Sequence, residues 1–217
     1  MDRTEGLTIR RETWEDYREV EVLIREAFWN QYVPGCMEHF LAHVMRDHED
    51  FIGELDLVAE MDGRIVGSVM YTKSRLVDEA GVEKEILTFG PFSVLPEFQR
   101  RGIGKALLEY SFGRAMELGY EAIVIFGSPG NFVSRGFKSC KRFHVCLENQ
   151  IYPCAMLVKE LREGFFDGRI WRYRESPVYQ IDEKAAQDFD RGFEPMEKRI
   201  KPSQEEFYIY SHSIIRE

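Results

Sequence analysis

A short strand-like run opens the chain and gives way to a helical period. Residues 7–10 are typical of a strand, and Thr13, followed by acidic residues at 15 and 16, is typical of a helix start. The apolar positions that then recur at helical spacing are Tyr17, Val20, Leu23, Ile24, Ala27 and Phe28. A second helix is predicted over 37–45. The chain therefore begins with a strand and two helices.

Three strands are predicted next. Runs 55–61 and 64–71 flank Asp62-Gly63, a dipeptide that strongly favours a tight antiparallel hairpin. The third run, 86–94, carries Gly90-Pro91 in its middle. Because proline has no N–H to donate to a sheet, we expect this strand to bulge or to leave its neighbour there.

A crossover unit follows. Residues 104–118 have a helical pattern that ends at Gly119, and the apolar run 122–126 is typical of a fully buried strand. A strand, a helix and a strand in this order predict a βαβ unit. Beyond it the pattern is less regular, with a strand predicted at 155–161 and a charged, proline-flanked stretch at 194–204. We divide the chain into a main fold, 1–146, and a C-terminal extension, 147–217, packed on the same unit.

Composition narrows the class of protein. Of 217 residues, 44% are apolar and 13% aromatic, so the chain can bury a large core and is not disordered. The formal net charge of −9 makes nucleic acid and membrane surfaces poor partners. No apolar run reaches the length of a membrane span, and the first residues lack the apolar core of a signal peptide, so we expect a cytoplasmic protein.

The cysteines and histidines suggest no metal site. Cys36, Cys140, Cys146 and Cys154 have no zinc-finger spacing and are interpreted as free thiols. His39 and His43 lie four residues apart on the second predicted helix, a spacing at which two imidazoles can hold zinc. Surface or groove-lining histidines and an acceptor-side base are the alternatives. We predict no metal.

The most informative segment is the turn Gln99–Lys105, placed between a buried strand and an amphipathic helix. A helix start has unpaired N–H donors and the positive end of the helix dipole, and glycines let an anion approach the backbone. Arg100, Arg101 and Lys105 add positive charge. We therefore predict a phosphate or pyrophosphate site.

Other phosphate and nucleophile motifs do not fit. A Walker loop would need glycine at 99 and serine or threonine at 106, where this chain has Gln99 and Ala106. A dinucleotide motif starting at Gly102 would need a third glycine where Leu107 stands. The segment 127–130 lacks the spacing of a nucleophile elbow.

The stretch FGPFSVLPEFQRRGIG, residues 89–104, resembles the GCN5-related N-acetyltransferases (GNAT), whose pyrophosphate motif follows a bulged strand. Ser134-Arg135-Gly136-Phe137 resembles the Gly-Phe signature that closes the motif region. The resemblance implies an α/β (α+β) fold with a mixed, mostly antiparallel central sheet, flanking helices and a splayed central strand pair. The second half of the chain, 147–217, resembles the C-terminal extension of uncharacterised bacterial members.

The resemblance also implies a co-substrate, acetyl-CoA. Its pantetheine arm would pair with the backbone of Phe92 and Val94, and the amides of 100–105 would take the pyrophosphate. The cofactor-binding residues that the resemblance implies are Phe92, Ser93, Val94, Gln99, Arg100, Arg101, Gly102, Ile103, Gly104, Lys105, Asn131 and Phe132.

Catalysis in this family is direct acyl transfer to an amine, which must be neutral to attack. The usual acid, a tyrosine, falls on Phe132, which cannot donate a proton. Ser128, Asn131, Ser134 or water stay open as donors to the leaving thiolate. Glu85 is the candidate base, and its alternative interpretation is an exposed charge at a strand end.

The implied function is transfer of an acetyl group to a primary amine of a small molecule or a peptide N-terminus. Two other functions stay open. One is a non-catalytic acyl-CoA-binding sensor, which Phe132 favours, and the other is a module whose extension binds a partner or forms a homodimer.

Overall fold

Residues 6–216 are described by a computed structural model, in which nine strands form a mixed sheet flanked by helices. The strands are β1 (Leu7–Arg11), β2 (Leu57–Met61), β3 (Arg64–Val77), β4 (Glu83–Val94), β5 (Ala122–Phe126), β6 (Lys138–Ser139), β7 (Val145–Cys146), β8 (Met156–Glu160) and β9 (Trp171–Arg174). The helices are α1 (Tyr17–Phe28), α2 (Glu38–Met45), α3 (Ile103–Glu117), α4 (Pro129–Phe132), α5 (Glu183–Asp190) and α6 (Pro202–His212). Residues 1–5 and Glu217, at the ends of the two predicted segments, lie outside this description.

The sheet order is β1-β2-β3-β4-β5-β8-β6, with β9 paired to both β3 and β7. Neighbouring strands along the order are antiparallel except β4 and β5, which the crossover helix α3 joins in parallel. The fold class expected from the sequence, a mixed and mostly antiparallel sheet with flanking helices, is therefore confirmed. Within 6–216 no helix has the length and hydrophobicity needed to cross a bilayer.

The hairpin between β2 and β3 turns at Asp62 and Gly63, as predicted. Both residues have positive φ, 52° and 75°. This left-handed pair gives the backbone the twist that joins two antiparallel strands directly. The turn therefore fixes the register of the two strands, with Met61 opposite Arg64.

Strand β3 is longer than the predicted run 64–71 and continues to Val77. Its second half has a partner that the sequence pattern did not reveal, since 75–77 pair with 172–174 of β9. Along β3, strand β2 pairs with the first half and does not reach the second. The extension thus supplies two strands to the sheet. Strand β9 pairs with the half of β3 that β2 does not reach, and β8 pairs with β5.

Alternating residues of β5 face two hydrophobic layers. Ile123 and Ile125 pack in the layer that contains α3, while Ala122 and Val124 pack in a second layer on the opposite face. Phe166 and Trp171 of the extension belong to this second layer. The extension therefore covers sheet surface that would otherwise lie open to water. The boundary between the two predicted segments stays a prediction.

The end of α5 docks on α1 and α2 through a charged contact. Asp190 Oδ1 lies 2.7 Å from Arg25 Nε and 3.1 Å from Nε2 of the fully buried His39. Burial lowers the pKa of His39 to about 4, so the ring is neutral at pH 7. The carbonyl of Glu197 accepts hydrogen bonds from Trp29 Nε1, at 2.9 Å, and from the Asn30 amide.

A buried ionic network joins β1, α1, α2 and β2. Arg46 donates two hydrogen bonds to Glu12, at 3.1 and 2.8 Å, and one of 3.0 Å to Glu21. The three side chains are almost completely shielded from water. Burial, together with the neighbouring Glu12, raises the pKa of Asp56 in the same cluster. The Arg46 guanidinium thus pairs with two buried carboxylates, and one of them, Glu21, also contacts Arg18 and His43.

We expect Arg46→Leu to lower the free energy of unfolding by about 3–5 kcal/mol, because it leaves the buried Glu12 carboxylate without its cation. Urea denaturation followed by tryptophan fluorescence measures the change. The matched control is Arg64→Leu, which removes an exposed ion pair with Glu97 and is expected to cost under about 1 kcal/mol. Equal losses in the two variants would contradict the role given to Arg46.

Candidate functional site

Strand β4 bulges at the proline, as expected from the sequence. Val69 of β3 lies opposite Phe92 and Tyr71 lies opposite Phe89, so β4 has one more residue than β3 in this stretch. Gly90 and Pro91 occupy the extra length. On its other side β4 pairs with β5 at one position only, Leu87 opposite Ile123. Beyond that position the two parallel strands diverge.

The segment of β4 after the bulge has β3 on one side and no paired strand on the other, within the described residues. Ser93 contributes a buried hydroxyl whose oxygen lies 2.8 Å from that of Ser68. Gln99 donates its side-chain amide to the carbonyl of Val94, at 3.0 Å. The turn that follows β4 is therefore tied back to the end of the strand.

The turn between β4 and α3 ends in a left-handed glycine. Gly102, with φ of 93°, is the N-cap residue of α3, and no side chain caps the helix. The first amides of α3 therefore have no partner within the helix. Arg100, Arg101 and Lys105 are exposed around them. An open helix start, flanked by positive charge, meets the requirement for binding an anion.

Gly104 is a glycine because β4 packs against it. A Cβ atom at this position would lie 3.0 Å from Cζ of Phe92 and 3.4 Å from a methyl carbon of Val94. The helix start can thus approach the diverging end of β4 closely. Ile103 beside it is buried and anchors the first turn of α3 in the core.

A cluster of aromatic rings fills one side of the gap between β4 and β5. Among Phe89, Phe92, Phe132 and Phe137, five pairs have ring centroids 5.7–6.2 Å apart. Phe132 is buried, and a Cβ atom on Gly127 would lie only 2.6 Å from its ring. Asn131 is exposed, and its carbonyl accepts a hydrogen bond from Arg135. This side of the gap is apolar.

Glu85, the candidate base, lies at the opposite end of β4 from the turn. Its side chain is half exposed, and its carboxylate is 3.8 Å from Nζ of Lys73. Gly90 lies five positions further along the extended chain, roughly 17 Å away. The structure thus does not bring Glu85 together with the residues of the bulge, and its catalytic role stays a prediction.

The histidines are occupied in structural contacts. His39 is enclosed between Asp190 and Cys36, whose Sγ lies 3.5 Å from Nδ1. His43 Nδ1 lies 3.0 Å from a carboxylate oxygen of Glu21. Burial raises the pKa of the Cys36 thiol. Among residues 6–216, no three His, Cys, Asp or Glu side chains are placed to hold a metal ion.

Sequence reasoning missed a group of polar side chains at the bulge. Tyr173 and Tyr179 of the extension place their hydroxyls against Thr88 and the Gly90 carbonyl of β4, and Glu175 lies between them in the chain. Only the alternation of aromatic and charged residues in 171–175 could have indicated a strand. Nothing in the pattern indicated that this strand would reach β3.

The comparisons with known proteins agree with this architecture. The model of the acetyltransferase (GNAT) family matches residues 9–139, more than half of the chain. The chain belongs to the GNAT family. The matched span includes the bulge, the turn and the Gly-Phe signature, so the resemblance recognised in the sequence is confirmed.

A curated relative and two solved structures resemble this family member. It is 24% identical over 87 residues to the uncharacterized N-acetyltransferase YjhQ of Escherichia coli, covering 40% of this chain and 47% of that protein, so the match spans about half the length of this relative. The structure of Escherichia coli YhbS, in complex with CoA, matches with a TM-score of 0.70 and 21% identity over 81% of this chain and 93% of that one.

The second structure is a GNAT family acetyltransferase from Brucella melitensis in complex with acetyl-CoA. It matches with a TM-score of 0.60 and 22% identity, covering 80% of this chain and 97% of that one. At this level of identity, the two structures show that the GNAT fold extends over four fifths of the chain, including part of the region beyond 146.

We expect Phe132→Ala to lower the free energy of unfolding by about 3–5 kcal/mol, the usual cost of removing a buried phenyl ring. Chemical denaturation of the purified variant measures the loss. The neighbouring Val133 is more than half exposed, so Val133→Ala is expected to change stability by under about 0.5 kcal/mol. A small effect of Phe132→Ala would show that the ring does not support the cluster.

Proposed function

We propose that this protein transfers the acetyl group of acetyl-CoA to a primary amine of a small molecule or a peptide N-terminus. The observation that carries the proposal is the divergence of β4 from β5 beyond Leu87, directly beside the uncapped start of α3. In this proposal an extended thiol arm pairs with the backbone along the free side of β4. The helix start supplies amides for a pyrophosphate.

Each part of the cofactor has a counterpart in this arrangement. The backbone of Phe92, Ser93 and Val94 would hold the pantetheine arm, and the amides and cations of 100–105 would bind the pyrophosphate, held in place by Gln99. Asn131 and Phe132 would border the thioester end. The CoA and acetyl-CoA complexes of the YhbS and Brucella melitensis proteins support this assignment.

The acceptor amine has to arrive neutral or lose a proton at the site, because an ammonium nitrogen has no free electron pair. The amine nitrogen then attacks the thioester carbon, the C–S bond breaks, and CoA leaves as a thiolate that takes up a proton. Phe132 supplies no proton to the sulfur, so in this proposal water or another side chain protonates it.

A second function, a non-catalytic acyl-CoA sensor, is favoured by Phe132 alone. A thiol-release assay with acetyl-CoA and four probes, spermidine, kanamycin, L-lysine and a tripeptide with a free alanine N-terminus, separates the two. Release of CoA that depends on a probe supports the transferase. Tight binding of acetyl-CoA without release for any probe supports the sensor.

We also propose that 1–146 and 147–217 form one folded unit in the cytoplasm. The burial of Phe166 and Trp171 against the sheet supports the shared unit, and four free cysteines fit a reducing compartment.

A homodimer is proposed through the extension, where α6 exposes Tyr208 and Ile209. Sedimentation velocity of the full chain tests it.

We expect Gly102→Asp to raise the dissociation constant for acetyl-CoA by about 100-fold or more, a loss of roughly 2.7 kcal/mol in binding. The carboxylate would cap the helix start and occupy the place of the phosphate oxygens. Isothermal titration calorimetry measures the affinity directly.

Gly119→Asp is the matched control for this experiment. Gly119 also has a positive φ, 90°, and it follows the opposite end of the same helix, with open space where an added Cβ atom would lie. Its variant carries the same charge and similar backbone strain and is expected to bind acetyl-CoA within about twofold of the wild type. Equal affinities of all three proteins would overturn the proposed site.

A further inference from the structure

The two faces of β3 and β4 at the bulge have different neighbours. Tyr71 and Phe89 face the layer of α3 and the phenylalanine cluster. Because side chains alternate along a strand, Thr72 and Thr88, which lie opposite each other, face the other way. The extension covers this second face and contacts it through tyrosine hydroxyls, one of which belongs to Tyr179. The polar contacts of this face are therefore made by the C-terminal part of the chain.

The side chain of Tyr179 connects β3 to the bulge of β4. Its hydroxyl accepts a hydrogen bond from Thr72 Oγ1, at 3.2 Å, and donates one to the carbonyl of Gly90, at 3.4 Å. The ring also lies against the bulge, since a Cβ atom on Gly90 would be 4.0 Å from its Cε1. One residue of the extension thus joins the regular ladder to the point where β4 becomes irregular.

Tyr179 is held in place by contacts that do not involve the bulge. It ends the short 3-10 turn Pro177–Tyr179, and Val178 within this turn is buried in the main core. Ser176 caps the turn by accepting a hydrogen bond from the Val178 amide, and its hydroxyl donates to the carboxylate of Asp50, at 2.7 Å. The turn is therefore anchored on the main fold, and Tyr179 can restrain the bulge from a fixed position.

The bulge itself offers little resistance to a change of conformation. Gly90 has a φ of 152°, in a region that residues with a side chain rarely adopt. Glycine populates more backbone conformations than any other residue, so Gly90 does not by itself select this one. The register of β3 and β4 also shifts here, between Val69 and Tyr71. A contact from outside the strand pair is therefore needed to fix the bulge, and the Tyr179 hydroxyl supplies one.

The direction in which β4 leaves the bulge matters for the proposed reaction. In the proposed function the amides of 100–105 bind the pyrophosphate, and the backbone of 92–94 holds the pantetheine arm. Val94 is nearer the turn and Phe92 is nearer the bulge, so the arm runs back along β4 and its thioester end comes next to the bulge. A misplacement of about 1 Å between reacting groups can cost about 10² in rate.

We propose that Tyr179 is a positioning residue of acyl transfer, which fixes the bulge of β4 through the Gly90 carbonyl and thereby places the thioester of acetyl-CoA for attack by the amine. The inference rests on the proposed function. The hydroxyl has one proton, which the Gly90 carbonyl accepts, so Tyr179 acts through the backbone and does not protonate the leaving thiolate. Its loss therefore affects the rate of transfer more than the binding of the cofactor, which the turn 100–105 anchors elsewhere.

We expect Tyr179→Phe to lower kcat by about tenfold or more, with the dissociation constant for acetyl-CoA within about threefold of the wild type. The variant keeps the ring against Gly90 and loses only the hydroxyl. Thiol release with spermidine, kanamycin, L-lysine and the alanine tripeptide measures kcat. Isothermal titration calorimetry measures the affinity for acetyl-CoA.

Tyr71→Phe is the matched control. Tyr71 is fully buried, and its hydroxyl lies 2.7 Å from that of Ser111 on the opposite face of the sheet. This variant also loses a hydroxyl with a hydrogen bond, so the two variants should show similar falls in melting temperature. Its kcat should stay within about twofold of the wild type, because the Gly90 carbonyl keeps its donor. Equal losses of kcat in the two variants would show that Tyr179 only stabilises the fold.

Hydrogen exchange measures the restraint of the bulge without any acceptor. The amides of 89–94 should exchange about tenfold faster in Tyr179→Phe than in the wild type, because local opening of the bulge becomes easier. Tyr71→Phe should exchange there like the wild type. Mass spectrometry of the peptide that covers this segment gives the rates.

A third variant tests the connection from β3. Thr72→Val removes the hydroxyl that donates to Tyr179, and it should lower kcat by only about threefold, because Tyr179 can still donate to Gly90. The double variant Thr72→Val, Tyr179→Phe should have the kcat of Tyr179→Phe alone, since both changes act on the same carbonyl. Losses that multiply would overturn the connection through Tyr179.

The outcomes separate this inference from the proposed function. A Tyr179→Phe variant with the wild-type kcat overturns the role of Tyr179 and leaves the proposed function standing. A wild type that binds no acetyl-CoA, or that acetylates none of the four probes, overturns the proposed function and the positioning role with it. Loss of kcat together with faster exchange of 89–94, in Tyr179→Phe and not in Tyr71→Phe, supports both.

Discussion

The divergence of β4 from β5 is the constraint on which the rest of the site depends. The two strands pair only at Leu87 and Ile123, and the bulge at Gly90-Pro91 then turns β4 away. Pro91 has no N–H, so the ladder toward a neighbour is interrupted there whatever the surroundings. The phenylalanine cluster fills one side of the resulting gap and the tyrosines of the extension fill the other.

The extension buries the face of β5 that α3 does not cover. A sheet of this kind has two faces, and α3 covers one face of β5 while Ala122 and Val124 remain on the other. Trp171 and Phe166 bury that second face, and Tyr173 continues the same layer up to the gap. One segment of the extension therefore both completes the core and borders the gap.

The sequence predicted those parts of the fold whose causes are local. Pro91 interrupts a strand and Asp62-Gly63 closes a hairpin, each through the conformation of one or two residues. The family motif added the cofactor side of the site. All of these features lie within the span that the family model matches.

The side of the gap that the extension forms was not predictable in this way. Strand β9 has four residues, and its partner in β3 is almost a hundred positions away, so no short pattern indicates the pairing. The contacts of Tyr173 with Thr88 and of Tyr179 with the Gly90 carbonyl exist only after folding.

The pairing of β9 with β3 also has a consequence for how the chain unfolds. Strand β3 has β2 along its first half and β9 along its second half on the same edge, so a single strand holds residues from both ends of the sequence. Detaching the extension would expose Trp171 and Leu76 and open the edge of β3 at the same time. We therefore expect cooperative unfolding, in which the main fold, 1–146, and the extension, 147–217, lose their structure in one transition.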